Sequence, residues 1–335
     1  EGGDHPFADI GALGNCLTGN KNVQVVALAD LFEPKVKGTL ERVQKAFPDQ
    51  CAVKPEQCFV GLDAYKQILA TDIDYLIEGT LPYSRPKHLV AAMEAKKHIF
   101  SEKPFAVDPV GIRQIVEASA KHKEAGLSFV SGTQRRHQQE YVQTIDKLHN
   151  GEIGDIIAMR VYWNGGLPFV REREPGECDF SYRIRNWYAY CWVCGDNIVE
   201  QHVHNLDVAN WVLNATPKKV FASGGRVWKK AEIYGDLYDH FDCDYTYDIG
   251  GREVHVFSMC RHWDGCAGGD FGGVFEEAWG TKGSSRCNDK GEGGNDPYVQ
   301  EHIDLVNSIT GQGPKLHQAV ETAQSTLTAI MGRMS

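Results

Sequence analysis

The densest grouping of chemically competent side chains is Glu200-Gln201-His202-Val203-His204-Asn205-Leu206-Asp207. If one helix spans roughly Asn197–Leu213, Glu200 and His204 lie four residues apart on one face, with Asp207 a turn further on. Carboxylate, imidazole and carboxylate on one stripe can orient and pass a proton, which is general acid–base chemistry. The same residues also allow structural polar packing, or a metal site built from His202, His204 and the carboxylates. His202 and His204, however, are two residues apart and face different sides of a regular helix. The set cannot converge on one ion, and no metal is assigned.

Three shorter segments could bring a cofactor and a cation to such a site. Asp30 follows the apolar run Val23–Ala29. An acid ending a second parallel strand can accept hydrogen bonds from the ribose hydroxyls of an adenine dinucleotide. The ordinary alternative is a strand-end Asp capping the next turn. Gly79-Thr80-Leu81-Pro82 and Ser101-Glu102-Lys103-Pro104 each follow another short strand-like run, with His88 in the helix beyond the first. The carboxyl ends of parallel strands are where ligands dock in such sheets, so Lys103 could sit in the same crevice. A solvated lysine in a turn is the alternative. Asp179–Tyr190 (DFSYRIRNWYAY) makes Arg185, Trp187 and Tyr188 candidate walls for a sugar ring, and aromatic core packing explains them as readily.

The elements that would position these residues alternate in the first half of the chain. Strand patterns at Val23–Ala29, Asp74–Glu78, His98–Phe100 and Leu127–Ser131 are separated by helical patterns at Pro34–Phe47, Pro86–Ala95 and from Asp108 to about Ala125. Asp108-Pro109 is a helix start and Gly126 a helix stop. Strands alternating with helices predict an α/β domain with a doubly wound parallel sheet, placed at residues 1–150. Beyond it, Ile156–Trp163, Val220–Val227, Phe241–Tyr247, Glu253–Met259 and Val274–Trp279 read as longer strands, with a hairpin at Ile249-Gly250-Gly251. Residues 151–335 therefore read as an α+β domain with a large, open, mostly antiparallel sheet. Helix returns from Pro297 to Met331, in position to pack back on the first domain, and Gly265–Gly273 reads as a surface loop.

Composition bounds the partners. The chain has 335 residues, 42% hydrophobic and 24% charged, with 35 Lys and Arg against 45 Asp and Glu for a net charge of −10. Nucleic acid needs clustered cations, so it is not an expected partner. No apolar run reaches the ~20 residues of a membrane helix. Ten cysteines are scattered, and only Cys191-Trp-Val-Cys194 has a redox-like spacing. Buried or free thiols are the favoured reading, with a disulfide or redox pair as the alternative. A cytoplasmic location is favoured, with export left open should a leader have been removed.

Asp30, Thr80-x-Pro82, Glu102-Lys103-Pro104 and Glu200-x-x-x-His204-x-x-Asp207 follow the order found in the Gfo/Idh/MocA oxidoreductases, and the chain resembles that family over nearly its whole length. Glu276–Gly283 and Glu301-His302-Ile303-Asp304-Leu305 extend the likeness. The resemblance implies a Rossmann domain binding NAD and a substrate domain for sugars or cyclitols, whose open sheet often forms oligomer contacts. It implies cofactor contacts from Gly11, Asp30, Gly79, Thr80, Pro82, Glu102 and Lys103. Lys103 would orient the substrate hydroxyl and stabilise negative charge, and His204 would be the general base or acid. Glu200 stands where the family commonly has Asp, and His202 and Asp207 would border the substrate. One departure stands out. The family opens with an apolar strand running into a GxGxxG turn, whereas this sequence opens EGGDHPFADIGALGNCL. The expectation is a sequence incomplete or altered at its start.

The reading is an NAD-dependent oxidoreductase moving a hydride to or from a hydroxyl-bearing carbon of a sugar, cyclitol or glycoside. An NAD-dependent glycoside hydrolase, which oxidises transiently and cleaves by elimination, is the first alternative. A cofactor-free sugar-binding homologue is the second. NAD is expected over NADP because Leu31-Phe32, not Arg, follows Asp30. A homo-dimer or homo-tetramer is expected because an open sheet exposes one face.

Overall fold

The computed structural model describes residues 10–263 and 273–335. In its first part, α1 (Gly11–Gly19), β1 (Leu28–Asp30), α2 (Glu33–Ala46), β2 (Cys58–Val60), α3 (Ala64–Leu69) and β3 (Tyr75–Glu78) follow in order. Then come α4 (Arg85–Glu94), β4 (His98–Ser101), α5 (Pro109–Glu124), β5 (Phe129–Ser131) and α6 (Gln139–His149). Every strand pairing here is parallel, as the strand–helix alternation requires. Asp108 caps α5 by accepting from the amides of Val110 and Gly111 at 2.8 and 2.9 Å, satisfying donors that a helix start leaves orphaned. Gly126, at φ +72°, ends the same helix in the left-handed conformation that favours glycine.

The parallel ladder is nevertheless in two pieces. β1 pairs with β2, and β3, β4 and β5 form a separate three-stranded sheet. The run expected as a strand over Val23–Ala29 is reduced to Leu28–Asp30 plus one bridge from Val25 to Cys51. Among the described residues the run pairs on one side only, where Val25 donates to the Gln50 carbonyl and accepts from the Ala52 amide, at 2.8 Å each.

The second part contains β6 (Ile156–Gly165), α7 (Asp179–Arg185), α8 (Cys191–Cys194), α9 (Asn197–Glu200), α10 (Val203–Leu213), β7 (Lys219–Gly225), β8 (His240–Ile249) and β9 (Arg252–His262). β10 (Gly273–Gly280), β11 (Gly283–Arg286), α11 (Pro297–Thr310) and α12 (Ala319–Met334) complete the described chain. Six strands form one sheet in the order β11-β10-β6-β9-β8-β7, antiparallel except for β6 beside β9. The β8–β9 hairpin turns at Gly250 and Gly251, whose φ angles of +62° and +84° suit a turn that twists with its strands. The surface loop expected over Gly265–Gly273 lies outside the described residues, apart from Gly273 at the start of β10.

The inner face of this sheet buries Met159, Val161, Trp163, Tyr245, Tyr247 and Val256 against α10 and α12. α12 also reaches the first part, where the Phe105 amide donates to Thr326 Oγ1 at 3.4 Å and Arg333 donates to the Val107 carbonyl at 2.7 Å. The outer face carries Phe221 (80% exposed), Phe257 (45%) and Ile157 (58%) with no covering layer among the described residues.

Candidate functional site

Lys103 stands two residues past β4, at the carboxyl end of the parallel strands. Its ammonium donates to the backbone carbonyl of Glu200 and, at 3.3 Å, to Glu200 Oε1. Glu200 closes α9. Burial raises its carboxyl above the usual range, and the neighbouring Lys103 charge works against that rise. Its Oε2 is buried and lacks a hydrogen-bond partner among the described residues.

The single helix expected over Asn197–Leu213 is broken. α9 ends at Glu200, Gln201 and His202 form a turn, and α10 starts at Val203. Gln201 departs from helical geometry at φ −112°, ψ −51°. Glu200 and His204 therefore do not share a straight helical face. They flank a corner, and the corner brings His204 onto Trp163, ring centroids 5.8 Å apart and stacked at 22°. Burial pushes the His204 imidazole well below its ordinary pKa, and the cations of Lys103 and Arg135 push the same way. Its neutral form, which can accept a proton, is the one favoured.

The corner turns other candidates away. His202 is buried against β9, with Nε2 2.6 Å from Ser258 Oγ and Nδ1 3.3 Å from Asn205 Oδ1, so both nitrogens are committed. Asp207 accepts a bidentate pair from Arg136 at 2.8 and 2.9 Å and a bond from Ser325 Oγ at 2.7 Å. It ties α10 to α12 and is corrected from a substrate contact to a structural anchor. Tyr188 is likewise buried, its hydroxyl 3.1 Å from His262 Nδ1 and its ring stacked on that imidazole.

A cavity of about 1920 Å³ runs between β1 and β3, from the segments that precede them to their carboxyl ends. Asp30, Gly79, Thr80, Arg185 and Trp187 line it; Gly11, Pro82 and Glu102 do not. Asp30 Oδ1 accepts the Phe32 amide at 2.8 Å, and burial raises its carboxyl. Arg185 is already paired with Glu177, at 2.9 and 2.7 Å, within the loop that roofs the cavity. Pro82 is buried in the turn before α4, and the Glu102 amide extends the ladder by donating to the Glu78 carbonyl at 2.9 Å. Gly11, at φ +46°, opens α1, where Leu13 is the residue that faces the cavity.

Glu200 and His204 are buried and Lys103 is half-buried, and none of the three lines this cavity; one residue that the sequence did not single out ties the Lys103 turn to the cavity wall. Arg85 donates to Glu78 Oε2 at 3.2 Å, to the Thr80 carbonyl at 2.6 Å and to the Pro104 carbonyl at 2.6 Å. Glu78 in turn accepts from Thr80 Oγ1 and sits 3.3 Å from His88 Nδ1. The network fixes the turn after β3 to the turn carrying Lys103. No periodic pattern announces it, because Glu78 reads as a strand end and Arg85 as a helix start.

The residues at the ribose end suit a dinucleotide. Asp30 closes β1 at the cavity rim, and a Cβ at Gly79 would meet nothing within 4 Å, so backbone approach is open there. Among the described residues no group of three or more His, Cys, Asp or Glu is placed to hold a metal. The nine described cysteines are free, and Cys194 Sγ donates to the Tyr188 carbonyl at 3.3 Å.

Comparison with known proteins agrees with this geometry. Residues 13–129 match the oxidoreductase family with an NAD-binding Rossmann fold named Gfo/Idh/MocA. The chain is 22% identical to myo-inositol 2-dehydrogenase of Thermotoga maritima over 200 residues, covering 59% of this chain and 50% of that protein. It is 26% identical to inositol 2-dehydrogenase of Acidothermus cellulolyticus over 221 residues, 65% of this chain and 54% of that one. The chain thus spans about half the length of these curated relatives. In structure it resembles scyllo-inositol dehydrogenase of Lactobacillus casei with bound NAD(H) and scyllo-inositol, at TM-score 0.71 and 19% identity, covering 99% and 94% of the two chains. It also resembles aldose-aldose oxidoreductase of Caulobacter crescentus, at TM-score 0.66 and 14% identity, covering 96% and 93%. Over residues 13–129, about a third of its length, the chain matches the NAD-binding Rossmann domain of the Gfo/Idh/MocA oxidoreductases.

Proposed function

We propose that this protein is an NAD-dependent oxidoreductase acting on a hydroxyl-bearing carbon of a cyclitol or sugar, with residues 1–150 holding the cofactor and 151–335 the substrate. The observation that carries the reading is the Lys103–Glu200 pair beside a neutral His204, set behind a cavity rimmed by Asp30, Gly79 and Thr80. NAD, when bound, supplies the hydride acceptor or donor.

The chain's own residues do the rest. Lys103 points its ammonium at the corner between α9 and α10, where it can hold a substrate hydroxyl and stabilise the alkoxide character that develops as hydride leaves. His204 takes the hydroxyl proton, and its depressed basicity returns that proton readily. Glu200 holds the Lys103 ammonium through two acceptors and so fixes its direction. Trp163, stacked on the His204 ring, sets the imidazole plane. Asp30 selects the unphosphorylated ribose.

The inositol dehydrogenases among the relatives favour a cyclitol as the first substrate to try. The deciding experiment follows NADH and product together with cyclitols, aldoses and aryl glycosides. The reading expects NADH to accumulate one for one with oxidised product. Release of an aglycone without net NADH would replace it with the redox-elimination glycosidase. Failure to bind NAD in a titration would leave a cofactor-free sugar-binding protein.

A further inference from the structure

His262 closes β9 and is fully buried, yet only one of its ring nitrogens is used. Nδ1 lies 3.1 Å from the Tyr188 hydroxyl, and the two rings stack with centroids 5.8 Å apart at 11°. Nε2 is buried with no hydrogen-bond partner among the described residues. A buried polar atom left unpaired is costly, and its partner is to be sought in what binds. The Tyr188 hydroxyl is itself buried and has no other partner among the described residues, so its proton goes to Nδ1. A neutral imidazole then carries its own proton on Nε2, as a donor. Burial keeps the ring neutral, and Lys229, His202 and Lys103 push the same way.

The sheet register sets this donor beside the reacting groups. β6 and β9 run parallel, with Trp163 opposite Cys260 and Gly165 opposite His262. Trp163 carries the His204 ring on the inner face of the sheet. Every second residue of a strand returns to the same face, roughly 7 Å further on, so Gly165 and His262 hold that face one step past Trp163 and Cys260. A step of that length is comparable to the width of a polyol ring. A Cβ at Gly165 would meet nothing within 4 Å, so the missing side chain leaves room over the strand. Lys103 belongs to the same region, since its charge bears on both His204 and His262.

We infer that His262 is a specificity-determining residue of the proposed oxidoreductase site, donating from Nε2 to a ring hydroxyl of the substrate other than the one that reacts. Tyr188 is its positioning residue, fixing the tautomer through Nδ1 and the ring plane through the stack. The assignment rests on the oxidoreductase reading and narrows its substrate. That substrate is a cyclic polyol with a second hydroxyl within a ring's width of the oxidised carbon. An alcohol with a single hydroxyl leaves the buried donor unpaired and is rejected for that reason.

The test takes whichever of myo-inositol, scyllo-inositol and glucose the unaltered protein oxidises fastest, together with its monodeoxy analogues, and follows NADH. In the unaltered protein at least one analogue that keeps the reacting hydroxyl should lose at least about tenfold in kcat/KM. His262→Asn can still meet the Tyr188 hydroxyl but withdraws the Nε2 donor. It should lower kcat/KM for the parent compound by a similar factor and bring that analogue level with it. His262→Gln, whose side-chain amide reaches as far as Nε2, should restore most of the selectivity. NAD affinity should stay unchanged in both. Gly165→Val covers the case of a histidine variant that fails to fold. Its side chain enters the open space and should raise KM for the parent compound at least about tenfold. Undiminished selectivity in His262→Asn, or an unchanged KM in Gly165→Val, would overturn the assignment alone. No NADH from any of the three compounds with the unaltered protein would overturn the oxidoreductase reading and this assignment with it.

Discussion

Lys103 and Glu200 are 97 residues apart in sequence, yet the Lys103 ammonium bonds both the main-chain carbonyl and the side-chain carboxylate of Glu200. The pair joins the end of a parallel strand to the last residue of α9, and it exists only because the two parts of the chain fold against each other.

In the proposed function Glu200 is a positioning residue. Glu200→Gln retains the carbonyl acceptor and a neutral side-chain acceptor, so it should reduce kcat less than Lys103→Ala, which should cost on the order of 10²–10⁴-fold. Because the Lys103 charge opposes the burial-driven rise of the Glu200 pKa, Lys103→Ala should raise that pKa further. Steady-state kcat of the two variants and an NMR titration of the Glu200 carboxyl carbon check this. Equal losses of kcat in the two variants would assign proton transfer to Glu200.

Asp30 is the last residue of β1 and lies on the cavity rim, with no arginine directly after it. A 2′-phosphate there would face its carboxylate at close range. NAD should bind at least about tenfold more tightly than NADP, a difference of about 1.4 kcal/mol. Asp30→Ala should erase most of it. Calorimetric titration with both cofactors is the check, and equal affinities in the unaltered protein would refute the assignment.

His302 is buried against Phe100, ring centroids 4.1 Å apart, and neither ring nitrogen has a hydrogen-bond partner among the described residues. Burial depresses its pKa to about 3, against 6.5 for an ordinary histidine. Below pH about 6.5 the unfolded chain takes up a proton that the folded chain refuses, so His302 lowers stability as pH falls toward 3. His302→Phe removes this loss. Its stabilising effect, read from urea midpoints, should be about 2–3 kcal/mol greater at pH about 4.5 than at pH about 7.5. A gain independent of pH would contradict the account.

The outer face of the six-stranded sheet shows Phe221, Phe257 and Ile157 to solvent in the single chain, which a second copy would cover. Light scattering at micromolar concentration should give a multiple of 37.3 kDa, two or four chains. Phe257→Lys should reduce the mass toward one chain without loss of fold. A monomeric mass for the unaltered protein would end this proposal.

Local signals made much of the fold legible. Asp108-Pro109 and Gly126 bound α5 in the sequence as in the structure, and Gly250-Gly251 marks the β8–β9 turn. The family motifs singled out Lys103 and His204 as candidates. What stayed hidden depends on distant partners. The corner at Gln201–His202 has no glycine or proline to announce it, so the run over Asn197–Leu213 reads as one helix. Asp207 looks catalytic until Arg136 and Ser325, 71 and 118 residues away, saturate its carboxylate. Arg85 gains its bridging role only when β3 and β4 are side by side.

The central claim is that this chain uses Lys103 and His204 to move a hydride between NAD and a cyclitol or sugar carbon. The most direct measurement is single-turnover deuteride transfer from a carbon-deuterated cyclitol to NAD, run on the unaltered protein, Lys103→Ala and His204→Ala. The account predicts deuterium in the reduced nicotinamide, with the step slowed on the order of 10²–10⁴-fold in each variant and NAD affinity nearly unchanged. Deuterium transferred equally fast by His204→Ala, or retained by the cyclitol in the unaltered protein while NAD is bound, would contradict it.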